Sequence, residues 1–182
     1  MNKCYNLEVL RAKVNFAKLN FKKYFSFDQC IYNNTYLNNH SSGGRITNFN
    51  GDLILSIGEF QHRNLAQNLN NNFGKIILLS KNSKESKILS YGHRNVQGLK
   101  YLSDKNIIIS TEHGPMGGDE ININKLQDVK IKNFGWPISS YGEHYAEFIT
   151  CESKGFKEKK FTMFKIISFA NYDECELSKL EK

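Results

Sequence analysis

The 182-residue sequence has four cysteines, two prolines and one tryptophan. Cys4, Cys30, Cys151 and Cys175 are scattered, and none falls in Cys-x-x-Cys or finger-type spacing. That removes cysteine-built metal sites and leaves free or buried thiols, with a disulfide through Cys30 as the alternative. No apolar run reaches the ~20 residues of a membrane-spanning helix, so no membrane partner is expected. Residues 1–14 lack the apolar stretch of a signal peptide, which leaves either an intracellular protein or an N-terminus that lies upstream. Clustered positive charge is missing too. Lys+Arg 25 against Asp+Glu 18 gives +7, but the lysines are dispersed, and the dense run from Lys154 to Lys160 is broken by Glu158. A solvated segment explains that run better than a nucleic-acid surface. Joint enrichment in Lys, Asn and Ile is also what an AT-rich genome produces. No nucleic-acid partner is expected.

The apolar share is 40%, enough for the core of one domain. The first dozen residues are charged and helix-compatible. From Val14 to Ile31 apolar and polar residues alternate, which predicts one or two strands. A polar loop follows from Asn33 to Ser42. Residues 44–59 read as strand, Asn50-Gly51 turn, strand, and the Asn-Gly pair is a strong hairpin signal. Residues 98–112 repeat that layout, with Gly98 answering Gly44. A further strand follows each hairpin, over 74–80 and 119–124, and residues 88–91 close the first unit. Units of about four strands at this spacing are those of a β-propeller blade; two similar hairpins in a sandwich are the alternative. Helical periodicity is weak except over Phe161, Phe164, Ile167 and Ala170, which fit a helix face or a strand.

Three clusters carry the chemistry, and each sits between glycines where strands turn over. Gly92 to Gly98 holds Arg94 and Asn95. A guanidinium in such a turn can hold a carboxylate or quinone oxygen, or it can bond loop carbonyls. Glu112 to Glu120 holds Gly114-Pro115, a pair able to aim two main-chain carbonyls at one point. Calcium accepts such ligands, although most Gly-Pro pairs are turns. Asp119 and Glu120 are neighbours on a strand, so at most one faces a given ion. Asn133 to Pro137 reads as an aromatic plug around Trp136. Upstream, His40 precedes a strand, and a neutral imidazole there suits proton abstraction from an alcohol; a surface histidine is the alternative. His62-Arg63-Asn64 echoes His93-Arg94-Asn95, but the flanking residues do not match.

Taken in order, the motifs resemble the soluble PQQ-dependent glucose/sorbosone dehydrogenases. They are His40 to Arg45, Ser56 to Glu59, Ala66 to Leu69, Gly74 to Ile76, Gly92 to Leu99, Glu112 to Asn122 and Asn133 to Pro137. The resemblance runs from about Val14 to Tyr145. It implies an all-β, six-bladed propeller family, of which this chain holds roughly three blades. The domain reading is an extension over 1–13, propeller blades over 14–150 and a divergent tail over 151–182. The resemblance also implies PQQ and calcium as cofactors, an aldose or related sugar as substrate, and an external electron acceptor. By that resemblance His40 is the general base, Arg94 polarises the quinone oxygen, Asn95 is a neighbouring cofactor contact and Gln67 lies near the sugar. The carbonyls of Gly114 and Pro115 are implied ligands of the calcium that clamps the cofactor. Glu120 and the carbonyl of Phe134 are implied parts of a second calcium site.

Val96 stands where the family often has proline, and Phe134 replaces its usual tyrosine. The basic residues by which the family clamps the cofactor carboxylates belong to later blades that this sequence does not contain. Unpaired strand edges would then invite a homodimer or complementary blades. The alternative function is a truncated, inactive propeller fragment that binds calcium or a partner. Family members are exported to the periplasm or secreted, which the resemblance extends to this chain despite the missing signal.

Overall fold

The structure, a computed structural model, describes residues 3–5, 7–29, 31–33, 40–81, 85–128 and 130–142. Cys30, Cys151, Cys175 and the apolar pattern from Phe161 to Ala170 lie outside them.

The regular structure of the described residues is almost entirely strand, with one 3-10 turn. β5 (Gly43–Phe49), β6 (Asp52–Ile57), β7 (Lys75–Leu79) and β8 (Ser86–Tyr91) form an antiparallel meander. The short β12 (Lys132–Asn133) joins it in parallel beside β8, giving the order β12-β8-β7-β6-β5. A second sheet runs β11-β10-β9, built from β9 (Val96–Leu102), β10 (Ile107–Glu112) and β11 (Glu120–Lys125). β5 packs against β9, edge strand to edge strand. Two N-terminal pairs, β1 (Lys3–Tyr5) with β4 (Ile31–Asn33) and β2 (Glu8–Arg11) with β3 (Lys22–Ser26), complete the fold.

The core explains this order. Side chains alternate across a strand, so a strand with several apolar residues in succession must be covered on both faces. β6 and β7 are such strands. Leu55, Ile57, Ile77 and Leu79 face a core shared with Val9, Phe25, Phe27 and Ile31. Ile54 and Ile76 face the opposite way, onto Val96 and Ile108 of the second sheet. The first sheet is therefore sandwiched between the N-terminal pairs and the second sheet, as a blade lies between its neighbours. The hairpin turn has the two positive φ angles expected of Asn-Gly, 51° at Asn50 and 99° at Gly51.

Two expectations fail at the N-terminus. Lys3–Tyr5 and Glu8–Arg11 form strands rather than helix; in the second, Val9 finds a buried place beside Phe25 and Glu8 pairs with Lys23. Of the stretch from Val14 to Ile31, Lys22–Ser26 is a strand and Ile31 begins another, while residues 14–21 are not a strand. The Asn15 side-chain oxygen accepts from the Ala17 amide at 3.0 Å, a local turn that breaks the extended chain. Val14, Phe16, Leu19 and Phe21 are all exposed.

Candidate active site

All the connections carrying the motifs emerge at one end of the sheets. β6, β8 and β10 finish there, and β5, β7, β9 and β11 begin there. The turns after Phe49, Leu79 and Leu102 lie at the other end. Strand direction alone thus gathers His40–Ser42, Gly58–Gly74, Gly92–Asn95, His113–Asp119 and Phe134–Pro137.

Main-chain bonds weld these loops together. The Phe60 and Gly58 amides donate to the Ser41 and Ser42 carbonyls at 3.1 and 2.9 Å. The Glu59 amide donates to the Arg94 carbonyl at 3.0 Å, and the His113 amide to the Asn95 carbonyl at 3.0 Å. Asn95 Oδ1 accepts from the Gly43 amide at 3.1 Å and from Gln97 Nε2 at 3.0 Å. The exposed turn holding His40 is therefore tied through Ser41 and Gly43 to the loop holding Arg94 and Asn95.

Arg94 sits at the centre. Its Nη1 donates to the His113 carbonyl at 3.0 Å and to the Gly114 carbonyl at 2.9 Å. Its Cζ lies 5.4 Å from the centre of the Trp136 ring, and Arg63 approaches the same ring at 5.3 Å, a cation–π arrangement from two guanidiniums. The Nε of Arg94 is buried without a hydrogen-bond partner. Nearby lies Glu59, 1% exposed, with an unpartnered Oε2. Burial pushes the Glu59 carboxyl above its ordinary range, and the charges of Arg94 and Arg63 pull against that rise. Unpartnered buried donor and acceptor atoms are costly, and these two lie on residues whose charges interact.

Gln67 lies just after the 3-10 turn Arg63–Ala66. Its Nε2 donates to Asn133 Oδ1 at 3.1 Å and to the Trp136 carbonyl at 2.6 Å, while Asn133 Nδ2 donates to its Oε1 at 2.8 Å. The amide braces the Trp136 loop. Gly92, with φ 74°, lies so close to Asn133 and Gly135 that a Cβ there would overlap them.

The Gly114 and Pro115 carbonyls are both engaged. Arg94 holds the first, and the Gly118 amide donates to the second at 2.8 Å. Their chemistry suits a hard cation such as calcium, with the guanidinium as a competitor at Gly114. Among the described residues no three His, Cys, Asp or Glu side chains form a metal-type cluster. Glu120 lines a cavity of about 320 Å³ together with Gln97, Glu112 and Asp119. Burial, with the Glu112 charge second, raises its carboxyl to about 7. Asn122 Nδ2 donates to Glu120 Oε2 at 3.1 Å. Phe134 is buried and stacks on His93, with ring centres 4.8 Å apart.

Sequence reasoning passed over four residues. Glu59 was visible only as part of a motif. Arg63 looked like a chance echo of Arg94, yet both reach the same indole. His93 and Glu112 gave no sign of pairing, because nineteen positions of chain separate them and only the β9–β10 register joins them.

The glucose/sorbosone dehydrogenase family model matches residues 4–166. The chain belongs to this family. It is 38% identical over 130 residues to the aldose sugar dehydrogenase YliI of Escherichia coli K12, covering 64% of this chain and 34% of that protein. It is 37% identical over 82 residues to quinoprotein glucose dehydrogenase B of Acinetobacter calcoaceticus, covering 42% of this chain and 16% of that one. The apo structure of the soluble aldose sugar dehydrogenase of Escherichia coli superposes with a TM-score of 0.59 at 31% identity, over 82% of this chain and 45% of that one. A PQQ-bound aldose sugar dehydrogenase from Streptomyces coelicolor shares the fold, with a TM-score of 0.58 at 24% identity, over 79% of this chain and 43% of that one. The described sheets are thus part of a propeller of the sugar dehydrogenase type. The chain spans about a third of the first of these curated relatives.

Proposed function

We propose that this chain carries part of a sugar-oxidising active site that works with PQQ and calcium. The observation that carries the reading is the gathering of His40's turn, Arg94, Asn95 and the Gly114-Pro115 carbonyls at one end of the sheets, in a chain of this family. Bound PQQ would supply the acceptor for the two electrons and hydrogen leaving the sugar carbon. His40 takes the hydroxyl proton of an aldose or related sugar. Arg94 meets the developing negative charge with a preorganised guanidinium, the kind of electrostatic aid that is worth most in a water-poor site. Asn95, held by Gly43 and Gln97, offers its loop as a second cofactor contact. Gln67, which also braces the Trp136 loop, lies near the sugar. The Gly114 and Pro115 carbonyls are the ligands for the calcium that holds the cofactor, and Glu120 with the Phe134 carbonyl belongs to a second calcium site. An external acceptor then reoxidises the cofactor. The test is purified chain with PQQ, calcium, an aldose and a dye acceptor. Dye reduction and cofactor absorbance retained on the protein are expected; the lack of both would end the reading.

A second reading is an inactive propeller fragment that binds calcium or a partner. The chain's short coverage of its relatives favours it, as does the outer edge of β11, which pairs with no further strand among the described residues. Calcium-dependent thermal stabilisation without PQQ retention would select it, and a sizing column would detect pairing with a second copy. Export to the periplasm or beyond belongs to the first reading, on resemblance alone, and cell fractionation tests it.

A further inference from the structure

We infer that Glu112 is the positioning residue for Arg94. This rests on the role given to Arg94 above, and the geometry behind it is independent of any ligand. Glu112 ends β10 and is buried. Its Oε1 accepts from two successive amides, that of Arg94 in a short bond and that of Asn95 at 3.0 Å. Its Oε2 meets His93 Nδ1 at 2.8 Å and Asn122 Nδ2 at 3.5 Å. The next two residues finish the grip, because the His113 and Gly114 carbonyls accept from the Arg94 guanidinium. A run of three residues therefore holds Arg94 at both ends. The carboxylate holds its backbone, and the carbonyls hold its side chain.

The residue type follows from the donors. Four N–H groups converge on this side chain, and a carboxylate is acceptor-only with room for all of them. A glutamine would turn an NH₂ toward one pair of donors. The facing carboxylate makes His93 Nδ1 the donor. Nε2 is then left to accept from the Ser90 hydroxyl, 2.8 Å away. Ser90, His93 and Glu112 are in line like a nucleophile triad, but Ser90 and His93 are fully buried. No substrate reaches that serine. The line acts as a brace that fixes the carboxylate, which fixes the Gly92–Asn95 turn.

Two readouts test this without quinone or sugar. Amide hydrogen exchange at Arg94 and Asn95 should quicken about ten- to a hundredfold in Glu112→Ala, the size expected for losing a bond to a charged acceptor. Glu112→Gln, which keeps one oxygen, should fall between. Trp136 is the single tryptophan of the chain, and Arg94 lies over it. Its emission should change in Glu112→Gln, and that change should vanish when Arg94→Ala is already present. Unaltered exchange at both amides, or an emission change that ignores Arg94, overturns the inference. Should Glu112→Ala not fold, Glu112→Gln carries both measurements. In the dye assay, positioning shows as a lower kcat at an unchanged KM for the aldose. Unaltered amides defeat the inference about Glu112, whereas an inactive unmutated chain defeats only the functional reading of Arg94.

Discussion

The ammonium of Lys75 and the carbonyl of Ala66 meet at 3.0 Å in the interior, and the Gly92 amide donates to that same oxygen at 3.0 Å. Lys75 is 0% exposed, and its Nζ also donates to the Leu65 and Phe73 carbonyls at 2.9 and 2.6 Å. A cation at the first residue of β7 thus anchors the turn that presents Arg63 and Gln67. Removing it leaves polar oxygens facing an apolar side chain. We expect Lys75→Met to lower unfolding free energy by about 2–3 kcal/mol, since buried carbonyls lose their donor. Urea denaturation measures this, and a midpoint equal to that of the unmutated protein would contradict the anchor.

The same lysine gives a pH dependence. Burial pulls its ammonium from the ordinary 10.5 down to about 7, although three carbonyl acceptors favour the charged form. Between these values the unfolded chain binds a proton that the folded chain does not, so stability rises with pH. The slope has a ceiling of about 1.4 kcal/mol per pH unit. Urea midpoints of the unmutated protein and Lys75→Met should diverge from pH 7 to pH 9.5, other groups cancelling in the difference. A constant difference would mean that Lys75 keeps its proton throughout.

What was legible in the sequence was local. The Asn50-Gly51 turn and the repeated strand layout need no tertiary information, and both hairpins were legible from them. The alternation from Val14 to Phe21 misled because periodicity records side-chain order and says nothing of an available partner strand. Asn15 bends the chain there, and no strand pairs with it. The chemistry divided the same way. Arg94 and Gly114 stood out within their glycine-bounded clusters, whereas Lys75, Glu59 and Glu112 looked like ordinary charged residues in or beside strands. Their burial is what makes them informative, and burial is fixed by neighbours distant in sequence.

Gly58 is where the His40 turn touches the sheet. A Cβ added there would overlap the main-chain carbonyl of Ser41, and main-chain atoms cannot swing aside as a side chain would. Gly58→Ala should therefore push the His40–Ser42 turn away from Glu59 and Arg94. We expect a loss of about 1–3 kcal/mol, the usual range for overpacking, with dye reduction falling further than stability alone explains. Unaltered stability together with an unaltered rate would show that the turn is not held against Gly58.

The last consequence concerns the oxygen of Gly114. It accepts from Arg94 Nη1 at 2.9 Å, and it is one of two carbonyls proposed for calcium. A dication and a guanidinium a few ångströms apart repel, strongly so where water is scarce. Calcium there shares that oxygen with Arg94 and weakens its hold on the guanidinium, which changes the charge felt by the Trp136 ring. Calcium added to the unmutated protein should thus alter Trp136 emission in the absence of PQQ. Arg94→Ala, with no guanidinium to repel the ion, should bind calcium about tenfold more tightly, a difference of about 1.4 kcal/mol, measured by titration calorimetry. If the substitution leaves calcium affinity untouched, the ion binds somewhere other than the Gly114 carbonyl, and the proposed metal ligands must be sought elsewhere in the chain.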